Sequence, residues 1–315
     1  MKQHFQVNWI NGMKVGSSHF IELENHFINR TQLLTKGSIT PVSYGILPSD
    51  DKEKSIQRYT LHWNEEKIGF NRDLLALTPD GFLVQIPANS SFNIFKPADG
   101  ASQYYLVLTV DPYIRMPYGE INEQEIPVRY PFALPDYKFQ FLPVTDNVSN
   151  VLGNTILPIA KYSGSTLEED PNFIPPSASI QSHPELTRYY NEVVDVLLKL
   201  EKTTQNLLCA RVIAHKPLLL NLLEFYSQNK PSLLWYVPYQ SPVFLFEKIV
   251  QVAGILYNYN EYELKTTKED EMKTILSKIL SLKYNHLDIA MAIRICRTFS
   301  DSYTRFLKES STIPV

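Results

Sequence analysis

Between Asp170 and Pro184 the chain carries four prolines, Pro171, Pro175, Pro176 and Pro184, and across this stretch its hydrophobic pattern changes period. Upstream, short runs alternate apolar and polar residues and are broken by Gly and Pro, the period-two signature of strands. Downstream, Gly nearly vanishes and apolar residues recur every three or four positions, the signature of amphipathic helices. Proline fixes φ and has no N–H to give, so a cluster of prolines fits neither a helix interior nor a central strand. The segment reads as a stiff, extended connector. The fold class that follows is α+β in two domains: an N-terminal antiparallel β-sandwich over 1–165, a Pro-rich hinge over 166–183, and a C-terminal antiparallel helical bundle over 184–315. Inside the hinge, Phe173 and Ile174 form an apolar pair that a free linker would leave in water. Burying both is worth roughly 3–6 kcal/mol before entropy, so the pair is expected to plug into a domain surface and, with Pro175 and Pro176, to fix the angle between the halves.

At 315 residues the chain is long enough for two domains, each with its own core. A net charge of −3 and a pI near 6.2 provide no electrostatic footprint for nucleic acid or an anionic membrane, so the expected partners are proteins and not nucleic acid. The two cysteines, Cys209 and Cys296, fall at helical core positions without a ligand-spaced companion, which fits a reducing cytoplasm and gives no metal or disulfide framework. The first residues lack the apolar run of a signal peptide, and no stretch is long enough to insert in a bilayer. There is no Gly-rich phosphate loop, metal cluster or nucleophile elbow, so neither catalysis nor a cofactor is expected.

In the first half, Tyr59, Leu61 and Trp63 alternate with Arg58, Thr60 and His62 between Gln57 and Trp63, as a strand with one solvated face requires. Arg72 to Leu77 and Phe82 to Pro87 flank Thr78-Pro79-Asp80-Gly81, where Pro suits the first turn position and Gly can take positive φ, which predicts a hairpin. Tyr104 to Val110 is apolar on both faces and reads as a central strand; Tyr137, Phe139 and Phe141 mark another strand, and Leu157 to Tyr162 a last one. Asp111 to Pro131 reads as a long loop, either a contact surface or a solvated excursion.

In the second half, Ser182-His183-Pro184-Glu185 predicts a capped helix start. The stripe Tyr189, Val193, Val196, Leu197, Leu200, Leu207 and Leu208 follows. Pro217 is expected to break this helix after Lys216, and a second run from Leu218 to end before Lys230-Pro231. A third helix opens at Ser241-Pro242, a fourth is capped by Thr266, Thr267, Lys268 and Glu269 and carries Met272 to Leu280, and the last starts near Asn285 and Asp288 and runs on to Phe306. One bundle core accounts for all these stripes; the alternative is that the first long helix also faces a symmetry mate.

Near the N-terminus, Trp9, Gly12 and Met13 are followed by His19, Phe20 and Glu24. Taken alone, this predicts a short strand, a glycine turn and a helical turn starting near Ser17 or Ser18, with Phe20, Leu23 and Phe27 as its buried stripe and His19 as a packed structural residue. The frame Trp-x-x-Gly-Met then His-Phe-x-x-x-Glu, and the hinge Asp170-x-x-Phe173-Ile174-Pro175-Pro176, both resemble the TssK family, the trimeric baseplate component of bacterial type VI secretion systems. The family's Arg-Pro-Gln run before the His is replaced here by Val15-Gly16-Ser17-Ser18.

The resemblance implies a cytoplasmic structural adaptor that forms a homotrimer and whose β shoulder grips wedge subunits of the TssF and TssG type. It implies Trp9, Met13, His19, Phe20 and Glu24 as partner-binding residues, and a helical stalk around a three-fold axis with Val193, Leu197, Leu200 and Leu207 at the trimer interface. Family members continue into a third domain that docks to the membrane complex; a chain ending at Val315 is expected not to reach that complex itself. The alternative is a receptor- or glycan-binding module of a phage-like contractile particle, stacking sugars on tyrosines of the 112–131 segment.

Overall fold

The computed structural model describes residues 4–48, 59–62, 65–97, 100–124, 126–145, 156–164, 167–209, 216–263 and 269–311. Contacts divide the chain into two units, Met1–Gly45 with Gln57–Pro171, and Ile46–Ile56 with Asn172–Val315. The fold mixes helices and antiparallel strands.

The first unit begins with helix α1 (Ser17–Lys36) and continues, after β1 (Gly45–Ile46), through β2 (Tyr59–His62), β3 (Lys67–Phe70), β4 (Leu74–Leu77), β5 (Leu83–Ile86), β6 (Ser91–Asn93), β7 (Gln103–Tyr118), β8 (Phe132–Pro143), β9 (Ile156–Ser163) and β10 (Glu168–Glu169). One sheet has the order β10-β9-β7-β8 and another β2-β3-β6. The doubly apolar run Tyr104 to Leu108 is buried, and its strand β7 is central in its sheet, between β8 and β9. Phe70 of β3 and Phe92 of β6 meet Phe139 of β8 at 5.4 and 5.2 Å between ring centroids, so the two sheets share an aromatic layer. The Tyr137 hydroxyl donates to Gln85 O (3.0 Å) and accepts from Gln85 N (3.1 Å), tying β8 to β5, and burial pushes its phenol pKa up.

The β4–β5 hairpin forms as its turn chemistry predicts. Gly81 N–H donates to Thr78 O at 2.9 Å, and Gly81 has φ +87°. The segment expected to be a loop from Asp111 to Pro131 is instead largely strand: β7 runs on to Tyr118, paired with Phe132 to Pro135 of β8. What lets it pass Pro112 is a bulge, since Asp111 pairs with Asp136 and the next paired residue, Arg115, with Pro135. Among the described residues, β7 beyond Thr109 pairs only with β8, as a two-stranded ribbon that contains Pro117 and Pro135. Gln57, Arg58 and Trp63 lie outside the described residues, as do Thr266, Thr267 and Lys268 and the side chains of Met272 and Phe306.

The second unit contains α2 (Pro184–Cys209), α3 (Lys216–Trp235), α4 (Val243–Glu263), α5 (Glu269–Leu280) and α6 (Ile289–Ser311). Its core joins Val193, Leu197 and Leu200 of α2 to Leu222 of α3, Ile249 and Ala253 of α4, Ile279 of α5 and Cys296 of α6. Three local expectations change. The residue before α2 is His183, whose Nδ1 accepts from Glu185 N, while Ser182 closes the preceding 3-10 turn. α3 continues through Pro231 to Trp235, because a proline one turn from a helix end removes a single hydrogen bond and leaves only that turn to be re-formed. Cys209 is exposed at the end of α2, whereas Cys296 is buried.

Entry into this unit runs through the hinge. Ile174, Pro175 and Pro176 are buried, Ile174 within the helical core, but Phe173 is only half-buried. Ile46 secures the same segment: its N–H donates to Pro176 O (2.7 Å) and its carbonyl accepts from Ala178 N (2.9 Å). Ile174→Ala is therefore expected to cost about 2–4 kcal/mol, and Phe173→Ala clearly less. Thermal unfolding followed by far-UV ellipticity checks this; equal losses would restore Phe173 as a full member of the plug.

Candidate functional site

The N-terminal segment and α1 form one surface. Gly12, at φ +81°, turns the chain after Ile10, and Met13 N–H donates back to Ile10 O at 3.3 Å. Gly16, extended, caps α1: its carbonyl accepts from His19 N at 3.1 Å, and its own N–H donates to His19 Nδ1 at 3.1 Å. His19 thus plays the part that Glu has in a capping box. Trp9 folds over the same turn, with ring centroids 6.1 Å from His19 and 6.3 Å from Phe20. Trp9, His19 and Phe20 are therefore brought together, and Met13 is half-buried.

Glu24 is placed differently. Arg115, redirected by the bulge in β7, donates from Nε and Nη2 to Glu24 Oε2 (3.2 and 3.0 Å) and from Nη2 to Asn25 Oδ1 (2.9 Å). The bulge also puts Tyr113 against His4, stacked at 4.7 Å, while His26 Nδ1 donates to His4 O at 3.0 Å. At the other end of α1, Gln32 Nε2 donates to Asp80 O (3.1 Å) and Lys36 Nζ pairs with Asp80 Oδ1 (2.6 Å). Glu24 is thus an anchor of the helix as well as a candidate contact, and its clamp Arg115 carries no motif in the sequence.

These anchors turn α1 over. Its buried residues are Asn25 and Gln32, at 7% and 1% exposure, and not the apolar stripe. Phe20, Phe27 and Leu34, seven residues apart, drift only about 20° per step around the helix, and they lie about 140° from the Asn25–Gln32 line at 3.6 residues per turn. They are 55%, 56% and 69% exposed, and Trp9 is 46% exposed. The expectation of a buried Phe20–Leu23–Phe27 stripe is thereby corrected: Leu23 is half-buried and both phenylalanines face outward. Side-chain hydrogen bonding decides which face goes in, and the apolar face is left for something else.

The four residues expected at a trimer interface, Val193, Leu197, Leu200 and Leu207, are all buried within the chain's own helical unit. Val193, Leu197 and Leu200 join the core of the helical unit with residues of α3, α4 and α6. Among the described residues, no group of His, Cys, Asp and Glu is placed to hold a metal ion, and no helix is long and apolar enough to cross a membrane.

No family model and no curated protein matches this sequence. Solved structures do match. A crystal structure of TssK superposes over 94% of this chain and 69% of its own length, with a TM-score of 0.60 at 14% identity. The baseplate complex from the type VI secretion system gives 0.58 at 13% identity over 95% of this chain and all of the matched one. A TssK–TssF–TssG baseplate subcomplex solved by cryo-electron microscopy gives 0.55 at 14% over 96% of this chain and all of the matched one. The chain is TssK-like in fold along nearly its whole length.

Proposed function

We propose that this TssK-like chain is a non-enzymatic baseplate subunit of a type VI secretion system, working in the cytoplasm. In this reading the first unit is a β-sandwich shoulder that binds wedge subunits of the TssF and TssG kind, and the second is a helical stalk. The chain acts as a homotrimer, and the segment 166–183 is the hinge between shoulder and stalk. The observation that carries the reading is the outward-facing cluster of Trp9, His19 and Phe20 on a helix held rigid from behind. Exposed Trp and Phe on a fixed scaffold are what an interface hot spot requires, because the anchor loses little freedom on binding. The matched TssK–TssF–TssG subcomplex supports the choice of partner.

The test is co-purification of the full chain with TssF- and TssG-type subunits from the same system. The parent chain is expected to retain them, and a Trp9→Ala/Phe20→Ala double variant to lose at least tenfold in affinity while keeping its far-UV spectrum, since both side chains are exposed. Undiminished binding by the variant would move the interface elsewhere. No binding by the parent chain would remove the baseplate role.

A further inference from the structure

The far end of the β7–β8 ribbon presents Met116, Ile121, Ile126, Val128, Tyr130 and Phe132 to solvent, with Ile126 at 99% and Phe132 at 68% exposure. Together they expose the equivalent of about three to four whole apolar side chains, on the order of 500–700 Å². That reaches past the 300–600 Å² or so of the largest apolar patch on an ordinary monomer and approaches the roughly 800 Å² per partner of a stable interface. The same unit has a second uncovered apolar surface, the C-terminal half of α1 with Phe27, Leu33 and Leu34. The ribbon's base is fastened to α1 through Arg115, yet within one chain both surfaces stay exposed. Each lacks its cover in the chain that carries it.

The charges on the two surfaces are opposite. Among the described residues, Glu120 and Glu123 of the ribbon tip have no cationic partner. On α1, Glu24 is held by Arg115, Glu22 lies 3.3 Å from His4, and Lys36 is paired with Asp80, which leaves Arg30, beside the Phe27–Leu34 line, as the cation of this helix without a carboxylate among the described residues. We propose that the ribbon tip of one copy of this chain seats on the Phe27–Leu34 face of α1 in the next copy, with Glu120 or Glu123 against Arg30. The two surfaces differ, so the contact is head to tail, and with the three-fold symmetry of the proposed function it closes into a ring. This rests on the self-association of the proposed function and gives it a contact in the first unit. It leaves the Trp9–Phe20 end of α1 to the wedge partner.

The test uses the full chain with Cys209→Ser to remove the exposed thiol, plus Ile126→Cys and Phe27→Cys. Under mild oxidation the doubly substituted chain is expected to form covalent dimers and higher closed species, while either single substitution stays a monomer on a denaturing gel. Glu123→Arg and Arg30→Glu are each expected to weaken assembly about tenfold in dilution measured by light scattering, and together to restore it. If the parent chain is a trimer but the double-cysteine variant does not cross-link, this contact is wrong and the ribbon belongs to another partner. If the parent chain is a monomer at micromolar concentration, both this contact and the trimer fail.

Discussion

Raising the pH from 9 to 12 is expected to unfold the helical unit. Cys296 is buried in its core, and burial lifts its thiol from 9.0 to about 12; burial likewise lifts Tyr226 from 10.0 to about 12 and pushes Tyr189 and Tyr303 well above 10.0. All four are held in their protonated forms by the fold. The unfolded chain releases these protons earlier, so the stability they contribute is intact below pH 9 and is withdrawn as the pH climbs toward 12. At about 1.4 kcal/mol per pH unit, Cys296 alone removes about 4 kcal/mol and Tyr226 about 3 kcal/mol. A total stability of about 5–15 kcal/mol does not survive that loss comfortably. Urea unfolding followed by ellipticity between pH 8 and 12 would show the midpoint collapsing, and Cys296→Ala would flatten the part of the fall between pH 9 and 10. A midpoint unchanged to pH 11 would mean that the thiol and phenols reach water without unfolding.

Gly81→Ala is expected to be the most damaging single methyl group in the first unit. A Cβ at Gly81 would lie 2.9 Å from Lys36 N and 3.0 Å from Gln32 O, both backbone atoms of α1, and φ is +87°. The left-handed backbone costs about 1–2 kcal/mol for any L side chain, and forcing the helix off the turn adds about 1–3 kcal/mol. The helix would also lose the grip of Gln32 and Lys36 on Asp80. Gly100 is the control, since it also has positive φ but nothing within 4 Å of an added Cβ. Differential scanning calorimetry should place Gly81→Ala below Gly100→Ala by about 3–10 °C. Coincident melting curves would show that α1 yields to the methyl group without cost.

How much of this was legible follows from what the residues say about themselves. Thr78-Pro79-Asp80-Gly81 states its own turn, and Tyr104 to Val110 states its double burial, because both depend on residues adjacent in sequence. The Cys296, Phe299 and Tyr303 stripe of α6 likewise goes where three-and-four spacing sends it. The facing of α1 could not be read that way. Periodicity assigns Phe20, Leu23 and Phe27 to the inside, but Asn25 and Gln32 have specific partners, Arg115 and Asp80, that lie 90 and 48 residues away. The same distance hides Arg115 itself, whose reach depends on a bulge after a proline that sequence reading takes as the end of a strand. The stripe of α2 was legible as a buried face, but periodicity does not say what covers it; Val193, Leu197 and Leu200 pack into the chain's own helical core.

The passage of Ile46 has a bearing on how the protein is made. The chain crosses between its units three times, at 45–46, 56–57 and 171–172. During synthesis, Ile46 emerges about 130 residues ahead of Pro176 and Ala178, the backbone it must bond. At roughly 5–20 residues per second the wait on the ribosome is several seconds or more, longer than most strands take to pair. The Ile46 backbone therefore waits without these two partners until the hinge arrives. A nascent chain halted before residue 176 is expected to be open to proteases at Gly45–Ile46, and one halted well after it to be protected there.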